Sequence, residues 1–258
     1  MCLVLFSYKS HPDYPLILAS NRDEFFERPA APATFWKGAP DLLAGRDLKS
    51  CGTWLGITKT GKIATVTNFR DPRAVRDDAT SRGELVINFL RSQDDPTEYI
   101  RKVNQKADEY NGFNFIFGYM SDLYYFSNRG GIFQKISPGL YGLSNHLLDT
   151  PWPKVELGKT RLGNLISGNH NFSPDAIFGI LADTSHPDDG LLPDTGVGLE
   201  WERILSPVFV ESPFYGTQFS TVVLVDKNHN VTFIERVFNS KPDQYEERKF
   251  EFRIKGLS

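Results

Sequence analysis

The sequence predicts an α+β fold built on antiparallel strands, and three features indicate it. Apolar, strand-type segments open and close the chain, and short strand-type segments separated by turn residues fill its middle. Apolar residues recur with helical period between these groups. The predicted strand regions are residues 2–8, 14–20, 53–59, 62–68, 114–143, 219–226, 231–238 and 249–255.

The strands are expected to pair through tight turns. His11, Pro12 and Asp13 separate the first two strands and predict a hairpin, and Thr60 and Gly61 join the next pair. The proline-rich segment 29–40 is predicted to be a loop, because proline lacks the backbone donor that strand pairing needs. A second loop is expected over residues 183–198.

Four helices are predicted. The first covers residues 81–91, with Ser81 and Glu84 in capping-box spacing, and the second runs from Pro96 to about Tyr110. The other two cover residues 155–167 and 174–182, the last capped by Ser173. Without a convincing linker or internal repeat, the chain is expected to form a single domain over residues 1–258.

Composition narrows the class of protein. Of the 258 residues 40% are hydrophobic, which can fill a large core, and the net charge of -3 comes from mixed charges that favour no nucleic-acid partner. No stretch reaches the ~20 apolar residues of a transmembrane segment, and the start lacks a secretory signal pattern. A cytoplasmic location is therefore expected. Two cysteines and five scattered histidines predict no metal site.

Cys2 is the first candidate for chemistry. Free cysteine is often a buried strand residue, and that reading stays open. If Met1 is removed, however, Cys2 carries a free α-amine beside its own thiol. An amine with a pKa of about 7.7 to 8.0 is neutral often enough to take the proton from that thiol. One residue would then supply both nucleophile and base.

The segment Asn21, Arg22, Asp23 and Glu24 is the second candidate. Such a polar run commonly forms a surface turn with weak ion pairs. The predicted hairpin nevertheless places it near the start of the first strand, within side-chain reach of Cys2. There Arg22 would favour the thiolate and Asp23 would orient the α-amine.

Two asparagines each follow an apolar strand: Asn68 in ATVTNF and Asn145 in YGLSNH, with His146 next. Asparagine at a strand end is commonly a turn residue. Acyl transfer, however, needs neutral donors aimed at the developing oxyanion, and an asparagine amide can provide one. The pair Asn68 and Asn145 is therefore a candidate oxyanion hole.

Several motifs, in order along nearly the whole chain, resemble the NRDE family, also called the transport and Golgi organisation protein two family. They are MCLVLF, LILASNRDEFFERPAAPA, LLAGRDLKSCGTWLGIT, IATVTNFRDP, SRGELVINFL, YGLSNHLLDTPWPKV and YGTQFSTVVLVD with VTFIER. That family in turn resembles N-terminal nucleophile hydrolases of the bile-salt hydrolase and penicillin V acylase group. The resemblance implies a four-layer αββα sandwich of two antiparallel sheets flanked by helices.

The resemblance also implies roles for residues. It puts Cys2 at the nucleophile, Asn21 and Asp23 on the Asn-x-Asp pair, and Asn68 and Asn145 in the oxyanion hole. Arg22, Glu24, His146 and Gln218 are expected to support the site or bind substrate. Gln218 stands where the family tends to have arginine, which would remove a fixed charge from the site.

Three functions follow from these observations. The first is hydrolysis of a C–N amide bond in a small molecule, with no cofactor. The alternative is a non-catalytic pocket that binds haem or a lipid or acyl-CoA, since members of the family are tied to haem trafficking, lipid homeostasis and Golgi organisation. The third is a purely structural or interaction protein. A homo-oligomer is compatible with each.

Overall fold

The structure is a computed structural model that describes residues 2–168, 172–239 and 241–255. Its strands are β1 Cys2–Tyr8, β2 Leu16–Phe25, β3 Ala30–Trp36, β4 Ala39–Asp47, β5 Leu55–Thr58, β6 Lys62–Asn68, β7 Phe113–Tyr119, β8 Asp122–Ser127, β9 Ile132–Lys135, β10 Gly139–Leu143, β11 Tyr215–Val225, β12 Asn230–Phe238 and β13 Tyr245–Arg253. The helices are α1 Arg82–Arg91, α2 Pro96–Asn104, α3 Pro153–Gly168, α4 Pro174–Leu181 and α5 Leu199–Ile204.

Contacts divide the chain into two compact units, each assembled from separate segments of sequence. Unit 1 consists of Met1–Glu27, Ser137–Ser144 and Leu148–Glu251. Unit 2 consists of Arg28–Ile136, Asn145–Leu147 and Phe252–Ser258. The single domain over residues 1–258 stays a prediction.

Unit 1 is built on a sheet of strand order β10-β1-β2-β11-β12-β13. The central strand β2 is antiparallel to β1 on one side and to β11 on the other. One face of the sheet packs against α3 and α4, with Leu3 and Ile17 meeting Leu162 and Ile177 in a buried cluster. Alternate residues of a strand point to opposite faces, so this packing fixes which residues of β2 face the helices.

Unit 2 is built on an antiparallel meander in which β3 to β9 lie side by side in sequence order. Helix α1 packs against β4, β5, β6 and β7, and the core between them is rich in aromatic residues. The rings of Phe115 and Phe117 stack at 4.5 Å, and Phe89 meets Phe117 edge-on at 5.2 Å. The α+β class predicted from the sequence pattern is confirmed, as are the two antiparallel sheets that the family resemblance implied.

The predicted loop at residues 29–40 is wrong, because most of it forms the β3–β4 hairpin. Strand β3 lies at the edge of the sheet, where only one side of the strand needs backbone donors. The pairing register shifts between Ala31 and Thr34, around Pro32. An edge strand with an irregular register accommodates proline, so the missing donor does not prevent pairing.

Helix ends also differ from the predictions. Ser81 precedes α1, but its side chain makes no capping hydrogen bond; its backbone carbonyl accepts from Glu84 N at 3.0 Å instead. Helix α2 ends at Asn104, short of Tyr110, and α5 was not predicted. Ser173 caps α4 as expected by accepting from Ala176 N at 3.2 Å. Among the described helices, none is both long and apolar enough to cross a bilayer.

Candidate functional site

The carboxyl-terminal half of β2 carries the polar run predicted from the sequence. The register pairs Cys2 with Arg22 and Leu3 with Asn21, so the hairpin brings this run beside the start of β1. Asn21, Arg22 and Asp23 are all buried. The side chain of Cys2, and Met1 with it, lie outside the described residues. We call Asn21, Arg22, Asp23, Glu24 and Gln218 the β2 cluster.

Asn21 anchors β2 to neighbouring segments of unit 1. Its Nδ2 donates to the carbonyls of Leu181 and Val208, both at 2.9 Å. Its Oδ1 accepts from Ser220 Oγ at 2.6 Å. Both hydrogens and the oxygen of the amide are therefore used by the fold, which makes Asn21 a positioning residue for the strand that carries Asp23.

Asp23 is the buried carboxyl of the β2 cluster, with 1% of its surface exposed. Its Oδ1 accepts from Thr217 Oγ1 at 2.7 Å, and its backbone carbonyl accepts from the Tyr215 hydroxyl at 2.9 Å. Burial raises the pKa of Asp23 above its ordinary value, while Lys154, Thr217 and Arg22 act in the opposite direction. The protonation state of this carboxyl thus depends on its neighbours.

Arg22 is held by Gln218 and Glu24. Its guanidinium donates to Gln218 Oε1, lies 3.9 Å from a Glu24 carboxylate oxygen, and stands 5.8 Å from the centre of the Phe219 ring. Gln218 in turn donates from Nε2 to the Phe25 carbonyl at 2.9 Å. The glutamine therefore orients a neighbouring positive charge, a role that the sequence did not predict.

A β-bulge explains how Gln218 reaches Arg22. Thr217 pairs with Asp23 and Phe219 pairs with Arg22, so Gln218 is the extra residue of β11 between two consecutive pairs. Bulges redirect a side chain and occur often beside functional sites. Thr217 donates a hydrogen bond to Asp23, and the charge of Lys154 favours the Asp23 carboxylate; the sequence predicted neither as a site residue. Each lies inside a motif that carried the family resemblance.

Unit 2 brings the two predicted asparagines together. Asn68 ends β6, and Asn145 follows β10 after one residue. Asn145 Nδ2 donates to the Asn68 carbonyl at 2.9 Å, and the Asn145 carbonyl accepts from Arg70 N at 2.7 Å. The first bond orients the side-chain amide of Asn145, the second holds its backbone, and the residue is fully buried.

His146 and Asn114 complete this group, the asparagine cluster. The His146 ring lies 4.9 Å from the Phe69 ring, and burial lowers the pKa of His146, which favours the neutral imidazole. Asn114 donates from Nδ2 to the His146 carbonyl at 2.9 Å and accepts at Oδ1 from the Tyr125 hydroxyl at 2.8 Å. Asn114 was not predicted, although a lone amide among the aromatic residues of FNFIFGY was a signal.

The described residues include no group of three His, Cys, Asp or Glu side chains arranged to hold a metal ion. What the β2 cluster offers instead is charge and hydrogen bonding, from one buried carboxyl and one guanidinium, and the ammonium group of Lys154 on α3 acts on that carboxyl from outside the cluster. The asparagine cluster offers neutral amide donors. Both groups are of the kind that acyl-transfer chemistry uses.

Comparison with known proteins identifies the family. Residues 1–240 match the family Transport and Golgi organisation 2. The chain belongs to this family. The Transport and Golgi organization protein 2 homolog of Bos taurus is 39% identical over 277 residues, which cover 99% of this chain and all of the relative. The Homo sapiens homolog is 36% identical over the same shares, and the Drosophila melanogaster protein is 31% identical over 91% of each.

A solved structure shares the fold of this family member. The N-acylethanolamine-hydrolyzing acid amidase ortholog of Caenorhabditis elegans aligns with a TM-score of 0.50 at 12% identity, covering 86% of this chain and 92% of the amidase. At that identity the likeness concerns the fold alone. The chain therefore has a fold similar to that of this amidase, in agreement with the fold that the resemblance implied.

Proposed function

We propose that the protein hydrolyses a C–N amide bond of a small molecule, with Cys2 as nucleophile after removal of Met1. The observation that carries the proposal is the β1–β2 register: Cys2 lies opposite Arg22, and the buried Asp23 is the next residue of β2. A cationic neighbour favours a thiolate, and a carboxylate beside the first residue favours an ordered α-ammonium group. The hydrolase-like fold agrees with this chemistry.

The proposed reaction has two steps. In the first, the Cys2 sulfur attacks the carbonyl carbon, and the α-amine takes the thiol proton and passes it to the leaving nitrogen, so that a thioester forms and an amine departs. In the second, the α-amine takes a proton from water, which attacks the thioester and releases the acid and the thiol. Asp23 holds the α-amine in place during both steps. The family resemblance assigns the oxyanion donors to Asn68 and Asn145.

The two cysteines of the chain provide a matched test. The intact protein is incubated with p-nitrophenyl acetate, an activated acyl donor, and its mass is read before and after. The expected result is one acetyl group on a chain that has lost Met1, absent in Cys2→Ala and retained in Cys51→Ser. Cys51 is exposed, so it controls for ordinary thiol reactivity.

Two outcomes of this experiment would overturn the proposal. One is a chain that keeps Met1, because the α-amine would then belong to another residue. The other is acetylation that survives in Cys2→Ala and disappears in Cys51→Ser. A Soret band on haem titration, lost in Cys2→Ala, would favour the ligand-binding alternative in its place.

A further inference from the structure

Lys154 lies in the first turn of α3, where a positive charge does not stabilise the helix. It is the second residue of α3, its side chain is 3% exposed, and its Nζ donates to the Leu205 carbonyl at 2.9 Å. Burial disfavours an ammonium group, and the positive end of the helix dipole disfavours it again. A nearby negative charge is the usual compensation for a buried cation.

The surroundings of Lys154 lead directly to Asp23. Leu205, which accepts the hydrogen bond from Lys154, packs in one cluster with Val210 and Tyr215. Tyr215 donates to the Asp23 carbonyl, and Val210 N donates to the same Thr217 hydroxyl that donates to Asp23 Oδ1. Lys154 and Asp23 therefore adjoin the same small group of residues in unit 1.

The charged groups that act on Asp23 from the described residues are Lys154 on α3 and Arg22 on β2. Thr217 on β11 adds a neutral hydrogen bond. Lys154 has the stronger influence of the two cations, and it favours the carboxylate. Arg22 already donates to Gln218 and lies near Glu24, which weakens its field at Asp23.

We propose that Lys154 is a positioning residue: it is the buried counter-ion that keeps Asp23 in the carboxylate form needed to hold the α-amine of Cys2. The pairing of Lys154 with Asp23 is a property of the fold, whereas its effect on Cys2 rests on the proposed function. The two parts are tested by different measurements, so that one can fail without the other.

The pairing is tested by a double-mutant cycle on thermal unfolding of the intact chain at neutral pH. Lys154→Met is expected to lower Tm by about 10 °C, because it leaves a carboxyl buried without its counter-ion. In the Asp23→Asn background the same change should lower Tm by less than half as much. Lys159→Met, on the same helix and ion-paired with Asp149, is the control and should lower Tm equally in both backgrounds. Equal losses for Lys154→Met in both backgrounds would overturn the pairing.

The effect on chemistry is tested by the pH profile of acetylation in the Cys51→Ser background. Without Lys154 the Asp23 carboxyl holds its proton to higher pH, so Lys154→Met should move the acid limb upward by about one pH unit or more. Lys154→Arg keeps the charge and should restore the original limb, even where Lys154→Met folds poorly. An unmoved limb in Lys154→Met would overturn the role toward Cys2. Absence of any acetylation on Cys2 in the parent protein would instead overturn the proposed function and leave the pairing standing.

Discussion

Replacing Thr217 by valine tests the hydrogen bonds that hold Asp23. The Thr217 hydroxyl donates to Asp23 Oδ1 at 2.7 Å and accepts from Val210 N at 2.9 Å, and both of these contacts are buried. Valine has nearly the same shape but lacks the hydroxyl. A hydrogen bond to a carboxylate contributes about 1.5–3 kcal/mol, and a buried N–H left without an acceptor costs about 1–3 kcal/mol.

The expected loss of unfolding free energy for Thr217→Val is therefore about 4 kcal/mol. Urea denaturation followed by circular dichroism measures it, with an unchanged m-value as the sign that the unfolding process is the same. Thr217→Ser is the matched control: it keeps the hydroxyl, loses one methyl group and should cost about 1 kcal/mol. Equal midpoints for the valine and serine variants would refute the role assigned to this hydroxyl.

Three further predictions concern the same two clusters and the end of α1. Because burial raises the pKa of Asp23, its contribution to stability is full below the ordinary value of 3.8 and is lost as pH rises through the folded value; over that range Tm should fall in the wild type relative to Asp23→Asn, and parallel curves of Tm against pH would contradict this. Asn114→Leu should lower the unfolding free energy by about 3 kcal/mol in urea denaturation, because the Asn114 amide bonds both the His146 carbonyl and the Tyr125 hydroxyl. Tyr125→Phe removes only one of these bonds and should cost about 1 kcal/mol; equal costs for the two variants would contradict this role. Lys62→Met should lower the unfolding free energy by about 2–3 kcal/mol, since the buried Lys62 donates to carbonyls at the end of α1. Lys59→Met, at a half-buried lysine whose hydrogen bond to the Pro40 carbonyl is exposed, should cost under about 1 kcal/mol; a neutral Lys62→Met would show that the contact with α1 is dispensable.

The sequence identified the strand that carries the β2 cluster because the signal is local. A turn at residues 11–13 between two apolar strands defines a hairpin, and the hairpin defines which residue lies opposite Cys2. The observed register, Cys2 with Arg22, follows from the same short stretch of chain. Asn68 and Asn145 were found in the same way, since each follows a clear apolar strand.

The residues that were missed depend on contacts between distant parts of the sequence. Lys154 influences Asp23 from a helix more than a hundred residues away, and although it lies in a motif of the family resemblance, its neighbours in sequence do not indicate that its side chain is buried. The role of Gln218 depends on a β-bulge in β11, and the sequence of this strand does not show where the bulge forms. The strand at Ala30–Trp36 was missed for a different reason. Proline is excluded from central strands but tolerated in an edge strand, and the local sequence does not show which strand lies at the edge.

The three consecutive β2 residues Asn21, Arg22 and Asp23 differ in what their side chains do. Asn21 uses its whole amide to attach the strand to surrounding backbone carbonyls and to Ser220. Asp23, two residues on, is likewise buried, but it retains an acidic group whose ionisation depends on the charges around it. Arg22 between them pairs with the opposite strand at Cys2. Strand β2 thus carries a buried acidic group, Asp23, and a cation, Arg22, whose proposed role is to favour the thiolate of Cys2.

The proposed hydrolysis requires that Cys2 is the first residue of the mature chain and an acyl acceptor. Intact-mass measurement of the unmodified protein, followed by peptide mapping after brief exposure to p-nitrophenyl acetate, tests both statements on one sample. We expect a mass without Met1 and a single acetyl group on the Cys2 peptide, removed over time as the thioester hydrolyses. A mass that includes Met1, or a Cys2 peptide that stays unmodified while the protein is folded, would contradict it.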